Sequence, residues 1–450
     1  MIMASHLLIR NRVAEARAFT SLAARIDLDV VRHVSHIGDE NIRILAANEA
    51  VLHSRRGKEI GRPCAIFGSA STKLDPIKEA LIRSIFDHHQ KCFEDSSTVN
   101  PRFSEIYGNE GSIAESHDVS PRILFIIPRY IKNTPSYIEN DLFFHFSRSS
   151  IKADMTAYAF ESDALTYNFP EASPFSGMQF TDACQRLDQA LDQFKPDIIM
   201  LDGNFLPTNS TLNPSWLQAV RKEYGCQIVT VIGDCYDAAA DYYGAWAEAS
   251  DIMLTFNLET THPQFSGHRN KNFLACGLPF DEEVFSSSES EKEIDMVFIG
   301  SNTRGRGDFL EMLRAYSVPI EAILHNRLAT NAPNLSTYAN FLRKGRITYN
   351  TGRVESSSSF SVLTGRCFEA ILSKTVLLEE VGSALDDYFI PFIHYVPFSN
   401  SSQLIMFSQF LCANHDYRQR IADQAYAWHQ QRYTSRRFWD ALQNRLRSIK

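Results

Sequence analysis

The segment that begins at Thr364 combines residue types that can hold a phosphorylated ligand. It reads Thr-Gly-Arg-Cys-Phe-Glu-Ala and is predicted to open a helix. Thr364 can cap that helix, and Gly365 lets the backbone approach a ligand closely. The exposed amides and the positive helix end suit a diphosphate, and Arg366 adds a planar cation for phosphate oxygens. Glu369 lies about one turn after Arg366 on the same face, where a carboxylate can accept both hydroxyls of a ribose.

The same two charged residues also fit a simpler explanation. Arg366 and Glu369 have the spacing of an i,i+3 ion pair on a helix surface. Such pairs are common and contribute little to stability. Spacing alone therefore leaves a nucleotide site and a surface ion pair equally open.

A second candidate lies in the turn that follows a predicted strand ending near Ile299. Gly300 and Ser301 come first, and Arg306 is the second of two arginines before a predicted helix. A glycine-containing turn followed by cations suits phosphate or nucleotide binding. The segment lacks the Gly-Lys-Ser/Thr of a Walker A loop and the Gly-x-Gly-x-x-Gly of a dinucleotide fingerprint. An ordinary strand-to-helix turn also explains it.

Polar side chains follow three predicted strands in the first half of the chain. Because ligands bind at the carboxyl ends of parallel strands, these residues are candidates for acceptor contacts or for a general base. Asp and Asn also favour turns after strands whatever the function, so the pattern alone does not establish a site. The candidates are Arg129, Tyr130, Asp202, Asn204, Asp234 and Asp237.

The elements that position these residues alternate between strand and helix from Arg122 onward. Continuous apolar runs such as Arg122–Ile127 fit strands buried on both faces. Alternation with short connections predicts doubly wound parallel sheets. A polar stretch at 286–292 indicates a linker, so we expect an α/β protein with two Rossmann-like domains facing one cleft. The predicted units are a mainly helical extension over 1–120, domains over 121–285 and 286–430, and a C-terminal helix over 431–450 that packs back on the first domain.

Composition argues against several classes of protein. The chain has 450 residues, of which 44% are hydrophobic, so more than one core is expected. Its formal net charge is -8 and it has no long basic run, which argues against nucleic-acid partners. The eight cysteines stand singly, and neither a metal-binding His or Cys cluster nor a membrane-spanning apolar stretch is found. We expect a soluble cytoplasmic protein without a metal site, with peripheral membrane contact left open.

From Arg122 to the C-terminus, the order of these segments resembles the CgeB-like glycosyltransferases, a branch of the GT-B superfamily related to the group 1 (GT4-type) enzymes. The resemblance is strongest from Ala275 onward. Asp234 matches an aspartate that follows a strand of the family's N-terminal domain. The other matching segments are Gly277-Leu-Pro-Phe-Asp-Glu-Glu-Val-Phe285, Val297-Phe-Ile-Gly-Ser301 with Arg306, Ile347-Thr-Tyr-Asn350, Leu363-Thr-Gly-Arg-Cys-Phe-Glu369, Val376-Leu-Leu-Glu-Glu380, Tyr395, Leu404 and Ala422–Tyr433.

The resemblance implies a nucleotide-sugar donor in the C-terminal domain and an acceptor on the N-terminal domain. It implies no obligatory metal or other cofactor, since cations and helix ends balance the diphosphate. Glu369 would hold the ribose. The donor-binding residues implied are Gly300, Ser301, Arg306, Asn350, Thr364, Gly365, Arg366 and Glu369.

Two positions depart from the family pattern. The first glutamate of the group 1 Glu-x7-Glu motif falls at Ser361, and the glycine usual after the helix is replaced by Ser373 or Lys374. The first departure removes a carboxylate expected beside the sugar. The second changes a loop near the donor.

We therefore expect a glycosyltransferase that moves a sugar from a UDP- or GDP-sugar to a polysaccharide, lipid-linked or protein acceptor. Arg366 and Arg306 would stabilise charge on the leaving diphosphate. Asp234 is the first candidate for a base if the reaction inverts. A nucleotide-sugar epimerase of the same fold and a non-catalytic GT-B-like scaffold are the alternatives.

Overall fold

A computed structural model places most of the chain in two parallel β-sheets with helices on both faces. The structure describes residues 74–95, 120–130, 140–166, 171, 177–203, 212–232, 240–255, 273–286, 292–303, 305–325, 333–352 and 361–449.

The N-terminal sheet has six strands. They are β1 (Arg122–Ile127), β2 (Thr156–Glu161), β3 (Ile198–Asp202), β4 (Gln227–Ile232), β5 (Ile252–Thr255) and β6 (Phe273–Ala275). All neighbours are parallel, in the order β2-β1-β3-β4-β5-β6. The chain first extends the sheet on one side of β1 and then continues on the other. A crevice suited to ligands therefore opens between the ends of β1 and β3.

The C-terminal sheet has five strands and the same parallel arrangement. They are β7 (Ile294–Ser301), β8 (Ile320–His325), β9 (Gly345–Asn350), β10 (Val376–Glu380) and β11 (Val396–Phe398). Their order is β11-β10-β9-β7-β8, so the reversal here falls between β7 and β9. The predicted α/β fold with two Rossmann-like domains is confirmed.

Helices cover both sheets, and several begin at an Asp or Asn side chain that accepts from first-turn amides, as Asn213, Asn334 and Asn400 do. The helices are α1 (Pro76–Glu94), α2 (Asp141–Lys152), α3 (Asp163–Thr166), α4 (Phe180–Phe194), α5 (Pro214–Tyr224), α6 (Ala240–Ala249), α7 (Glu282–Phe285), α8 (Arg306–Ala315), α9 (Leu335–Lys344), α10 (Gly365–Leu372), α11 (Ser401–Ala413), α12 (His415–Arg432) and α13 (Ser435–Ile449). Every helix of the described residues is too short or too polar to span a bilayer.

One apolar cluster is shared by the two halves of the molecule. It contains inward side chains of β1, such as Phe125, together with Phe368 of α10 and Trp439 of α13. Trp439 is fully buried and donates through Nε1 to Oγ of Ser149 in α2 at 2.9 Å. The last helix thus returns to the N-terminal sheet after the C-terminal domain is complete.

Helix α1 packs on the C-terminal domain. Phe86 is fully buried and stacks on Phe410 of α11 with ring centres 5.5 Å apart. His89 stacks on Phe392 at 4.6 Å, and burial lowers its pKa to about 4. The C-terminal domain therefore covers the face of α1 that carries His89.

The polar stretch at 286–292 is more firmly held at its end than a free linker would be. Lys292 donates through Nζ to the carbonyl oxygens of Gly345 at 2.7 Å and Ser373 at 2.6 Å, and to Oγ1 of Thr375 at 2.7 Å. These three oxygen acceptors fix the ammonium group beside the second sheet.

Candidate functional site

The start of α10 lies at the carboxyl edge of the C-terminal sheet, beside the end of β7. Thr364 occupies the N-cap position with extended backbone, and Gly365 and Arg366 begin the helix. The side chain of Thr364 makes no capping hydrogen bond, which corrects the prediction from its residue type. The side chain of Thr364 therefore leaves the first amides of this positive helix end uncapped.

Arg366 is the central cation of this edge. It is 7% exposed, and its guanidinium stacks over Phe298 with Cζ 4.5 Å from the ring centre. Nη2 donates to the carbonyl oxygen of Ile299. Nε and Nη1 are buried and make no hydrogen bond of good geometry within the described residues, although the hydroxyl of Tyr338 lies close enough to interact with the guanidinium. A buried guanidinium with two unused donor groups suits an anionic ligand.

Glu369 lies one turn further along α10 and is 4% exposed. Its Oε2 accepts from the hydroxyl of Tyr338 in α9. Burial raises the pKa of Glu369 to about 7, and the charge of Asp141 in α2 adds to the rise, while Tyr338 and Arg366 oppose it. A surface Arg–Glu pair is excluded because both side chains are buried.

Arg306 lies at the start of α8, 8% exposed, on the same edge of the sheet. Its Nη1 donates to Oγ of Ser301 at 3.2 Å, and its Nη2 lies 3.5 Å from the carbonyl oxygen of Thr351. Gly300 backs directly onto the guanidinium of Arg366. The structure therefore brings the two sequence candidates, around Gly300 and around Arg366, into one site.

Asn350 lies beneath this surface. It is fully buried and donates through Nδ2 to Oε2 of Glu379 at 2.9 Å. Cys367 donates to the same carboxylate oxygen at 3.5 Å. Burial raises the pKa of Glu379 to about 7. These three side chains support α10 from below.

Three acceptor-side candidates of the N-terminal domain lie at the ends of β1 and β3. The amides of Arg129 and Tyr130 donate to the carboxylate of Asp163 at 2.8 and 3.0 Å. Asp202 is fully buried at the end of β3 and accepts from Asn140 at 3.3 Å. Three further candidates, Asn204, Asp234 and Asp237, lie outside the described residues.

Two residues of this region were not singled out from the sequence. Tyr338 lies on α9, a helix that the sequence interpretation missed although Asn334 caps it and Leu335, Tyr338, Ala339 and Leu342 have helical spacing. Asp141 begins α2, whose N-cap is Asn140. In the sequence, the capping residues Asn140 and Asn334, together with the helical spacing of apolar residues after them, indicate where these two helices begin.

The described residues do not provide a set of ligands for a metal ion. They contain no group of three or more His, Cys, Asp or Glu side chains placed to hold an ion.

The C-terminal part of the chain matches a known family. Residues 282–444 match the family model described as glycosyl transferase-like. This range includes β7 to β11 and therefore the edge that carries Arg306, Arg366 and Glu369. A search of curated proteins found no match.

Solved structures match over most of the chain. One is Anabaena Alr3699/HepE in complex with UDP and glucose, with 12% identity, a TM-score of 0.51, and coverage of 73% of this chain and 100% of that one. Another is an alpha-glucosyltransferase in complex with UDP-glucose and DNA containing an abasic site, with 11% identity, a TM-score of 0.51, and coverage of 74% and 100%. A putative UDP-N-acetylglucosamine 2-epimerase from Listeria monocytogenes matches with 10% identity and coverage of 72% and 95%, but at a TM-score of 0.42 it gives no support to the epimerase alternative. The chain thus has the GT-B fold, and its residues 282–444 form a glycosyltransferase-like domain.

Proposed function

We propose that the protein is a glycosyltransferase that binds a nucleotide-diphosphate sugar at the edge formed by α10 and β7. The observation that carries this proposal is the buried guanidinium of Arg366, whose Nε and Nη1 make no hydrogen bond of good geometry in the described part of the chain. Burying a cation with unused donors costs free energy unless a ligand satisfies them. A diphosphate at the adjacent uncapped helix end does so.

The nucleoside lies on the Glu369 side of Arg366 in this proposal. Glu369 already uses Oε2 for Tyr338, and Oε1 faces Gly365, at 3.0 Å from where a Cβ would stand. The missing side chain at 365 leaves that oxygen accessible. Oε1 then accepts from the ribose hydroxyls, as a carboxylate accepts two donors.

During transfer, the charge that develops on the leaving diphosphate is stabilised by Arg366, Arg306 and the first amides of α10. These groups are fixed before the reaction because Arg366 is held by Phe298 and Ile299, and Arg306 by Ser301. No obligatory metal is needed for this role. We also propose that the chain is CgeB-like and cytoplasmic, and that its acceptor is a polysaccharide, a lipid-linked glycan or a protein.

The primary test is a binding screen of UDP, GDP and their sugars by calorimetry with the full chain. UDP compounds come first because both structural neighbours were solved with UDP or UDP-glucose. We expect one nucleotide to bind, and the Arg366→Ala variant to weaken it by on the order of 100-fold, about 2.7 kcal/mol. Arg314→Ala removes an exposed arginine of α8 and is the control. Failure of wild-type protein to bind any nucleotide would overturn the proposal.

A second comparison tests the ribose contact separately. Wild-type protein should bind UDP more tightly than 2′,3′-dideoxy-UDP, and Glu369→Ala should bind both equally. If Glu369→Ala still prefers UDP over 2′,3′-dideoxy-UDP, the role of Glu369 in binding the ribose is refuted. The role of Arg366 in binding the diphosphate is not affected by that result. Interconversion of free nucleotide-sugars without an acceptor would instead identify an epimerase.

A further inference from the structure

Tyr338 stands in the first turn of α9, where both its backbone and its ring are held. Asn334 caps the helix by accepting from the amide of Thr337 at 2.8 Å, and the amide of Tyr338 donates to the carbonyl oxygen of Asn334 at 2.9 Å. The ring meets the fully buried ring of Phe285 edge to face, with ring centres 6.3 Å apart. These contacts fix where the hydroxyl of Tyr338 points.

The hydroxyl of Tyr338 reaches both charged side chains of the proposed nucleotide site. It donates to Oε2 of Glu369, and it lies close enough to the guanidinium of Arg366 to interact with it as well. A hydroxyl has one proton to donate and lone pairs that accept. It can therefore turn its proton towards the carboxylate and its oxygen towards the cation. Tyr338 thus links the side chain assigned to the ribose with the one assigned to the diphosphate.

A simpler explanation is that a buried tyrosine only needs an acceptor for its hydroxyl. Two other tyrosines of this domain meet that need with the backbone. The hydroxyl of Tyr349 donates to the carbonyl oxygen of Arg306 at 2.8 Å, and that of Tyr433 donates to the carbonyl oxygen of Tyr388 at 2.9 Å. A backbone carbonyl does not change its charge with pH. Tyr338 instead donates to an ionisable group of the site, so its hydroxyl acts on the charge that a ligand meets.

We propose that Tyr338 is the positioning residue of the ribose contact, an inference that rests on the proposed function. Its hydroxyl holds Oε2 of Glu369, so that Oε1 is left for the ribose and the carboxylate keeps its negative charge. An ionised carboxylate is an acceptor only and can take both ribose hydroxyls, whereas a protonated one presents a donor in place of an acceptor. Tyr338 therefore sets how strongly the site prefers a nucleotide with both ribose hydroxyls near neutral pH.

The charge of Glu369 is closely balanced near neutral pH. Burial raises its pKa to about 7 and the charge of Asp141 adds to the rise, whereas the hydrogen bond from Tyr338 and the charge of Arg366 oppose it. Burial also raises the pKa of Tyr338, and the charge of Glu369 adds to that rise, so the hydroxyl keeps its proton and remains a donor. Without this hydroxyl the pKa of Glu369 rises further, and the carboxyl group is neutral at a pH where the wild-type group is ionised.

Other titratable side chains on the elements around α10 are engaged elsewhere or are uncharged. Glu379 of β10 and Glu282 of α7 accept hydrogen bonds from other side chains, at 2.9 Å and 2.8 Å. Burial lowers the pKa of His429 in α12 to about 3, so its ring is neutral in the neutral pH range. The described groups that act on the charge of Glu369 are Tyr338, Arg366 and Asp141.

The test measures the ratio of the Kd for 2′,3′-dideoxy-UDP to the Kd for UDP with the full chain, by calorimetry between pH 6 and pH 9. The corresponding GDP pair is used if GDP is the nucleotide that binds. Ionisation of the diphosphate and the base affects both compounds alike and cancels in the ratio. In wild-type protein the ratio should rise by on the order of tenfold as the pH passes through about 7, because Glu369 ionises.

Tyr338→Phe keeps the ring against Phe285 and removes only the hydroxyl. The rise in the ratio should then occur about one pH unit higher than in wild type. The ratio should therefore be about threefold below wild type at pH 7 and within about twofold of it at pH 9. Recovery at high pH is the result that a loss of packing does not produce.

Two controls accompany this variant. Tyr224 also donates to a carboxylate, Oδ1 of Asp192 at 2.7 Å, but it ends α5 in the N-terminal domain. Tyr224→Phe should leave the ratio unchanged at every pH. Glu369→Gln cannot ionise, so its ratio should be low and constant with pH. Adding Tyr338→Phe to Glu369→Gln should change the ratio by less than about twofold.

The outcomes separate this inference from the proposed function. If wild-type protein binds no nucleotide, the proposed function fails and the role of Tyr338 fails with it. If it binds nucleotide and its ratio rises with pH, but Tyr338→Phe has the wild-type ratio at every pH, only the role of Tyr338 fails. A ratio lowered by the same factor at every pH in Tyr338→Phe would overturn the inference too, because the tyrosine would then support the packing without affecting the charge. A wild-type ratio that is constant with pH would overturn it as well.

Discussion

The backbone of Gly300 leaves the space that the guanidinium of Arg366 occupies. A Cβ at position 300 would lie 2.5 Å from Nη2 of Arg366, and the glycine has φ of 157°. The same Nη2 donates to the carbonyl oxygen of Ile299, the residue before Gly300. The turn after β7 and the first turn of α10 are therefore matched in shape, although they are distant in sequence.

Gly300→Ala should move the guanidinium of Arg366 away from the carbonyl oxygen of Ile299. We expect the Kd for the nucleotide identified in the binding screen to rise by on the order of tenfold, about 1.4 kcal/mol, measured by calorimetry. Gly225→Ala is the matched control. Gly225 has φ of 65° and no atom within 4 Å of its Cβ position. The Gly225→Ala variant should lose about 1 kcal/mol of unfolding free energy and keep its nucleotide affinity.

Unchanged nucleotide affinity in Gly300→Ala would contradict the role given to this fit. The measurement is meaningful only for folded protein, so unfolding by urea is followed for both glycine variants. We expect the two variants to lose similar free energies of unfolding, whereas only Gly300→Ala loses nucleotide affinity.

The sheets and the main helices follow from the sequence because apolar runs and helical spacing are local properties. β1 was predicted with its observed bounds, Arg122–Ile127. β6 has only three residues and α9 was passed over, so Tyr338 was missed. The site is harder to predict because it depends on long-range proximity. No local pattern shows that Tyr338 of α9 reaches Glu369 of α10, or that Asn350 is buried beneath α10.

Lys374 occupies the backbone conformation that a glycine would adopt at the end of α10. Its φ is 51°, directly after the C-cap residue Ser373. This explains how the chain departs from the usual glycine without losing the turn. Lys374→Gly should be more stable than Lys374→Ala by about 1 kcal/mol, because only the glycine relieves the left-handed strain.

The control for Lys374 is Lys344, the last residue of α9. Lys344 has a helical backbone, and its side chain forms an ion pair with Glu293 at 3.2 Å. There the order should reverse, with Lys344→Ala more stable than Lys344→Gly. Urea unfolding of the four variants checks both orders. The same preference for glycine at both positions would show that backbone strain at Lys374 is not the cause.

Glu379 should make stability depend on pH. Burial raises its pKa from 4.5 to about 7 in the folded protein, so the native state holds the proton more tightly than the unfolded state. The resulting stabilisation is complete below about pH 4.5 and is lost as pH rises to about 7, by at most about 3 kcal/mol. Glu379→Gln cannot ionise. Its stability relative to wild type should increase between pH 5 and pH 8, as measured by urea unfolding.

Asp182→Asn serves as the control for this pH dependence because Asp182 is exposed at the start of α4. Its difference from wild type should stay constant over the same range. A difference between Glu379→Gln and wild type that is also constant with pH would mean that Glu379 ionises normally in the folded state.

Asp281 should contribute far more to stability than its exposed neighbour Glu283, although both carboxylates bind Lys152. Nζ of Lys152 lies 2.5 Å from Oδ1 of Asp281 and 2.9 Å from Oε2 of Glu283, but the side chains are 3% and 81% exposed. Asp281 also accepts from the amide of Glu283, and its own amide donates to Nδ1 of His145. Asp281→Ala should therefore cost about 2–3 kcal/mol, whereas Glu283→Ala should cost less than about 0.5 kcal/mol.

The contrast tests whether the turn between the domains is held by a buried charge. Asp281 begins α7, which follows Phe280, and Phe280 stacks on Phe368 of α10 with ring centres 6.0 Å apart. Loss of the carboxylate removes the buried one of the two acceptors of Lys152 and the capping acceptor at the start of α7. The loosening reaches the donor side through that stack. Asp281→Ala should weaken nucleotide binding as well as unfold at lower urea concentration, because α10 loses support. Equal stability of the Asp281→Ala and Glu283→Ala variants would show that the exposed part of the network, and not the buried carboxylate, holds the turn.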